Sequence, residues 1–538
     1  MFSPKLVSLH INFTETMSFK KQQPYQPDMF KVPQLPSRLE KQLYDPLASH
    51  NLFYKHVFCK IPEDIFSPLY CADNGRPNAS PRLLCAMRAF KEGGGYSDQE
   101  MFAAVSFDLL VRKSMGMLSF EDKVPSSSTY YKFFADLCEY KARTGVDLFE
   151  EAFKEVTKKQ IEEFCISGRR IRMDSTLIGS NIAHYSRYRI VHSTLVKAVS
   201  MPGGGVPSAF SAPLAGELAS ILGENAEHTC YELNAADMRK RFLQIGILVW
   251  RVLSEARAAS LPGFELLERV FGEQYRFNAE TGALEAIPSK EISPRSVQNP
   301  NDPDAAYRDK NGEEVRGYTH NITETCDDED KAKARNGKEI QKPKLIVDVQ
   351  VEPSSTPDTQ LYEPGVEGAM EVTGQVPESS TADGGYQSAG TQEYAEGKGI
   401  EPVFTGFQGR QSTYELEISK DGTSMEATNR TTGRKMKAVR TKGGSWRVDD
   451  EVDGKKHTRY FTDENVASSM RRKAFEAIPK AKRWLRNNVE AAMFQLTFHT
   501  RNNKTRYRGL MKQKIFAISR SLWVNCVRLS LFELRMSK

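Results

Sequence analysis

Three acidic residues stand where a carboxylate could be held out to do chemistry. Asp174 interrupts "GRRIRMDSTLIGSN" (168–181). That segment otherwise reads as a β-strand through Ile171, Met173, Thr176, Leu177 and Ile178, and strands disfavour aspartate. Strand alternation puts Asp174 on one face with Arg172 and Thr176, opposite Met173, Ser175 and Leu177. One face can then pack on a core while the other presents the carboxylate. Asp383, in "TADGGYQS", ends a short strand just before two glycines, which let the backbone turn sharply and leave room close by. Glu490, in "WLRNNVEAAMFQLTF", lies beside the helical stripe Leu485, Val489, Met493 and Leu496, with Arg486 one turn earlier on its own face. Taken singly, these read as a strand-end aspartate, a tight turn and a helix salt bridge. Taken as a convergent set, they offer only oxygen ligands, which suits Mg2+ or Mn2+. Two such ions about 4 Å apart activate a water or a 3′-hydroxyl and stabilise the leaving oxygen when a phosphodiester is cut or transferred. The other acidic candidates read as structural. The run "CDDED" (326–330) is a solvated turn, Asp348 is inside a strand, and Asp358 follows a proline as a turn or helix N-cap. No His/Cys ligand cluster, phosphate-binding GxxxxGKS/T loop or GxSxG elbow competes for the role.

The elements that must position these groups come from a chain of 538 residues, 39% hydrophobic and 27% charged, long enough for several domains. The longest apolar stretch, "IGILVW" (245–250), is far short of the roughly 20 residues of a spanning helix. The opening residues lack a signal-peptide pattern, and Met17 is an alternative start. Eight cysteines are scattered without CxxC spacing, as expected of buried thiols in a reduced, cytosolic protein. Residues 469–538 hold 17 Lys+Arg against 3 Asp+Glu, a net +14, so the other 468 residues carry −8 of the total +6. A basic end on an otherwise acidic chain points to a polyanion partner.

Residues 1–40 read as an extended arm and 41–165 as helices. Ser80-Pro81 starts one helix, Ser97 and Glu100 form a capping box for the next, and a Ser/Thr-rich start opens "SSSTYYKFFADLCEY". The pattern resembles a helix-turn-helix type module. Residues 145–165 form an amphipathic helix leading into the Asp174 strand. A helix follows, then a Gly/Pro/Ala-rich break, two helical stretches over 214–272 and a long loop over 287–314. Strands resume through "RGYTHNITETC" and "KPKLIVDVQVEP". Residues 410–462 alternate strongly, with hairpin turns at Asp421-Gly422 and Gly443-Gly444. From 463 the chain is helical and basic. Alternating strands and helices predict an α/β core with a mixed sheet, behind a helical N-terminal domain.

These blocks, in this order, resemble the DDE transposases of bacterial insertion sequences, in the branch with an all-helical N-terminal transposase domain. "FDLLVRKSMGM" through "PSSSTYYKF" is similar to that domain. "RMDSTLIGSNI" resembles the first catalytic block, "TADGGYQS" the second, and "RNNVEAAMFQLTFHTRNNKTRYRGLMK" the third, with Tyr507-Arg508-Gly509 as the family's "YRG". The resemblance implies an RNase H-like mixed-sheet core with Asp174, Asp383 and Glu490 as catalytic ligands of two Mg2+ (or Mn2+) ions. It implies Arg486 as a helper near the phosphates or the glutamate. A helical DNA-binding or dimerisation domain at 41–165 would precede a core over 166–409, with a helical insertion at about 203–285. A zinc-free β-rich insertion at 410–462 and a basic helical end at 463–538 would follow. Arg501, Lys504, Arg506, Arg508 and Lys512 would contact DNA. Relatives often carry Lys or Arg two helical turns after the glutamate; Thr497 stands there in this chain, with His499 and Arg501 nearby. The implied activity is cleavage at the terminal inverted repeats followed by strand transfer into target DNA. It would be carried out by a homodimer or larger assembly in the bacterial cytoplasm, associated with the nucleoid and without a membrane. The alternatives are a metal-dependent nuclease on the same core, or a transposase-derived DNA-binding protein that no longer cuts.

Overall fold

The computed structural model describes residues 17–19, 21, 35–71, 76–119, 121–200, 209–310, 312–405, 411–419, 422–452, 454–477, 479 and 487–538. Most of the 1–40 arm, the Asp421 half of one turn pair, and Arg486 lie outside them. Helices come first: α1 (Ser37–Leu43), α2 (Ser49–His56), α3 (Pro81–Gly94), α4 (Asp98–Phe107), α5 (Leu109–Ser114), α6 (Ser127–Thr144) and α7 (Leu148–Phe164). Their ends follow local chemistry. Ser80 Oγ caps α3 by accepting from the Leu83 N–H, with Pro81 in the first turn. Ser97 and Glu100 form the expected capping box on α4, and Ser126 caps α6. Arg112 of the leucine-arginine helix α5 is buried. Its guanidinium donates to the carbonyls of Val105, Ser106, Ser119 and Asp122, so it ties this module together from within.

Strand β1 (Arg170–Gly179) then enters, and the chain leaves it for an inserted helical body: α8 (Arg187–Val199), α9 (Ala212–Leu222), α10 (Ala226–Glu232), α11 (Ala235–Ala258) and α12 (Glu265–Gln274). Where two helical stretches were expected over 214–272, four form, because Asn225 and Asn234 each cap a new start. The insertion also begins earlier than 203. Val191 and Leu195 of α8 are buried in one cluster with Leu214, Val249, Val252 and Leu267, separate from the sheet's own cores.

The chain returns as β2 (Ala306–Lys310), β3 (Glu313–Thr325) and β4 (Ile346–Pro353), crosses by α13 (Thr359–Thr373) to β5 (Ser379–Ala382), and by α14 (Ala389–Gly397) to β6 (Glu401–Phe404). The six-stranded sheet has the order β4-β3-β1-β5-β6, with β2 pairing β3. Strand β3 runs antiparallel to β1, β2 and β4, whereas β5 runs parallel to β1 and β6. The parallel pair β5–β6 is joined by helix α14, the kind of crossover parallel strands require. Strand β2 falls in the stretch expected to be loop; its polar "AYRDK" sits at an edge and shows little apolar alternation. The "CDDED" turn is also not simply solvated: Asp327 is buried and accepts from Arg169 Nε and Nη2 at 3.0 and 2.7 Å.

The β-rich insertion holds two three-stranded sheets. One is β7 (Tyr414–Ile418), β8 (Met425–Asn429) and β9 (Lys435–Lys437); the other is β10 (Val439–Arg440), β11 (Trp446–Val452) and β12 (Lys455–Phe461). Helix α15 (Asp463–Glu476) lies against β7 and β12. Trp446, Leu416, Met425 and Val466 fill a core there. The last two helices are α16 (Asn487–Thr497) and α17 (Leu510–Met536).

Helices cover both faces of the main sheet. Ile171, Met173 and Val347 pack with Leu361, Tyr362 and Val366 of α13. On the other face Ile322, Ile346 and Val349 join α16, α17 and the N-terminal helices in one core. Gly93 lets α3 and α17 cross closely, since a Cβ there would lie 2.0 Å from the Trp523 ring. Helix α17 is long and apolar enough to cross a membrane by composition, but 72% of its apolar window is buried in the fold. It is a core helix whose Lys512, Lys514, Arg520 and Arg528 interrupt what would otherwise be an apolar run.

Candidate active site

Strand β1 is the centre of the sheet and Asp174 is the middle of β1, paired in register with Ile322 of β3. Its neighbours on the same face are held by charge and packing. Arg172 is buried and donates to Glu324, its cross-strand partner, which also takes Arg528 of α17 at 2.6 Å. Thr176 faces His320, a fully buried imidazole whose pKa burial lowers to about 3, so it stays neutral. Asp174 Oδ1 accepts from the Ser175 N–H at 2.9 Å.

On the other side, β5 runs parallel to β1 with Thr381 opposite Arg172. Two residues further along each strand come Asp383 and Asp174. Continued just past the end of β5, the same register brings the backbone of Asp383 level with that of Asp174. Asp383 accepts from the Gly384 N–H and opens the short turn Gly384–Tyr386. Tyr386 folds back fully buried and donates to Asn321 Oδ1 at 2.6 Å. Burial, and then the charges of Asp174, Asp358 and Asp383, push its phenol well above the usual range.

Asp358 is the residue that sequence reasoning passed over. It stands at the N-cap position of α13 but makes no capping bond. Its Oδ1 accepts from Ser175 Oγ at 3.1 Å and lies 3.6 Å from Arg308 Nη1. Asp358, Tyr386, Asn321 and Arg308 thus form a polar cluster around Ser175, on the α13 face of β1, next to the strand aspartates. The one local signal was the aromatic residue three positions after Asp383.

Glu490 lies in the first turn of α16, and its side chain is outside the described residues. The helix packs directly against β1. Ala492, Met493 and Leu496 are buried in the core that contains Ile322, the partner of Asp174. The glutamate's backbone therefore stands on the Asp174 face of the sheet. Arg486 lies outside the described residues. The other five cations, Arg501, Lys504, Arg506, Arg508 and Lys512, are exposed on one short segment. That segment is stitched to the end of β1: the Gly179 N–H donates to Asn503 O at 2.7 Å, and Arg508 Nε to Asn181 O at 2.6 Å. Tyr507 between them joins α3, its hydroxyl bonding Lys91 Nζ and Glu92, with Arg88 4.4 Å over its ring.

The donor set of Asp174 on β1 and Asp383 just past the end of β5 is oxygen only, which fits a hard divalent cation. Among the described residues, the group of three whose ligand atoms lie close enough to share one metal ion is His56, Glu163 and Glu533. There Lys60 meets Glu163 and Lys55 meets Glu533, each at 2.5 Å. It is an ion-pair hub joining α2, α7 and α17.

Comparison with family models matches residues 42–136 to the family described as Transposase domain (DUF772). Comparison with curated proteins and with solved structures finds no match.

Proposed function

We propose, from the match of residues 42–136 to a transposase domain family, that the whole chain is a DDE transposase. On this reading it cuts DNA at the ends of an insertion sequence and transfers the freed strands to target DNA. The observation that supports the proposal is the parallel pairing of β5 with β1, which runs toward Asp383 on one side and Asp174 on the other. The strand order, with an antiparallel trio on one side of β1 and a parallel pair on the other, supports an RNase H-like core.

Asp174, Asp383 and Glu490 would hold two Mg2+ or Mn2+ ions. Such a pair supplies activation of the attacking oxygen and neutralisation of the leaving one. The chain's own residues do the rest. Burial of β1 and the Ser175 N–H fix the Asp174 carboxylate before substrate arrives. Asp358, held by Ser175 and near Arg308, keeps the turn after β4 against β1. The exposed cations from Arg501 to Lys512 take phosphates and set the DNA along the end of β1. Arg486, just ahead of α16, is assigned to the phosphates or to Glu490. The DNA partners are the terminal inverted repeats and the target, bound by a homodimer or larger assembly in the cytoplasm.

The test uses end-labelled duplex carrying the element end, with Mg2+. The natural chain should cut and join it. Asp174→Ala and Asp383→Ala should each lose cleavage on the order of 10³-fold or more while still binding the end. Cleavage retained by Asp174→Ala would overturn the assignment, and cutting without joining would reduce the protein to a nuclease.

A further inference from the structure

Helix α16 carries two large apolar side chains that the fold does not bury. Phe494 is 63% exposed and Phe498, just past the helix end, 60%. Their rings meet edge to face at 5.4 Å. Phe494 follows Glu490 by four residues and Phe498 by eight, and both rings are exposed to solvent. Ala492, Met493 and Leu496 bury the opposite side. Phe498 also meets His499 edge to face at 5.0 Å. His499 Nε2 lies 3.0 Å from the Gly93 carbonyl, so the end of the aromatic step is anchored to α3.

The surroundings select the occupant. Between Glu490 and Glu533 the chain has no Asp or Glu, and exposed Arg501, Lys504, Arg506, Arg508 and Lys512 follow the rings directly. A pair of aromatic faces beside a run of exposed cations matches a polyanion that also offers π-faces. Unstacked nucleobases stack on aromatic side chains while cations track the phosphates. Apolar wedges of this kind also hold opened base steps in duplex DNA.

We propose that Phe494 and Phe498 form a stacking wedge that holds unpaired bases of the DNA end beside the scissile phosphate. The location beside that phosphate rests on the reading of Glu490 as a catalytic ligand; the stacking itself does not.

The experiment measures binding of the full chain, without divalent metal, to two probes by fluorescence anisotropy. One is a fully paired short duplex; the other is the same duplex ending in a few unpaired thymidines. The natural chain should bind the frayed probe about tenfold more tightly than the paired one. Phe494→Ala/Phe498→Ala should lose that preference and keep its affinity for paired duplex, with an unchanged circular dichroism melt. Phe494→Trp/Phe498→Trp should keep the preference. A preference that survives the double alanine change overturns the wedge. So does equal weakening on both probes, or a change of oligomeric state without DNA, which would make the rings a protein interface. Because no metal is present, cleavage by Asp174→Ala would defeat the catalytic assignment and leave this result standing.

Discussion

Asp348 shows how much one buried carboxyl can weigh. It lies on β4, on the face away from Asp174, and lines a polar cavity of about 600 Å³ between α7, α13 and α17. Burial pushes its pKa up to about 6, against a bond from Gln350 and the positive charges of Lys154 and Lys514. A carboxyl raised in the folded state binds more protons there than in the unfolded chain, so stability falls as pH rises from about 4 to about 6. Asp348→Asn should remove that dependence and leave the protein more stable at about pH 8, by up to about 3 kcal/mol. Urea unfolding at about pH 4 and about pH 8 reads the difference directly. The same contrast explains which site residues were legible in the sequence. Asp174 and Asp383 stood out because each breaks a local rule, a charge inside a strand and an acid ahead of paired glycines. Asp358, Asn321 and Tyr386 broke none. Their place around Ser175, the neighbour of Asp174, depends on strand register and on a helix crossover, which no local pattern carries.

Elements were readable in proportion to how locally they are determined. Capped helices such as α3 and α4 follow from Ser80-Pro81 and from Ser97 with Glu100. Strand β2 was hidden because an edge strand can be polar on both faces. Helix α17 was recognised as helical and basic, but its apolarity was masked by cations that the fold employs in ion pairs and carbonyl contacts, such as Arg520 on the carbonyls of Glu92 and Gly93. That contact lies at the crossing of α3 and α17 where Gly93 faces Trp523. Gly93→Ala should force the two helices apart and cost about 1–3 kcal/mol, seen as a lower urea midpoint with an unchanged slope. An unchanged midpoint would mean that α3 and α17 are not tightly packed there.

At the scale of the whole molecule, the helical N-terminal region and the C-terminal helices share one core. Phe53, Ala86, Leu522 and Cys526 belong to the same cluster. Residues more than 400 positions apart are thereby locked together, as in the bond from Tyr507 to Glu92. Composition predicted an electrostatic partner, yet only the fold gathers the cations onto one surface at the end of β1. DNA affinity should therefore fall steeply with salt. Replacing any one of Arg501, Lys504, Arg506, Arg508 or Lys512 with Ala should lower the slope of log affinity against log salt by about 0.9. Slopes that do not change would remove these residues from the phosphate surface.

The central claim is that Asp174, Asp383 and Glu490 hold metal together, and it can be read without any DNA. Fe2+ placed in the Mg2+ site, with ascorbate and peroxide, cuts a polypeptide next to the bound ion. The account predicts backbone cuts close to 174, 383 and 490, suppressed by excess Mg2+ and lost in Asp174→Ala. Cuts at none of these positions, or only around His56, Glu163 and Glu533, would contradict it.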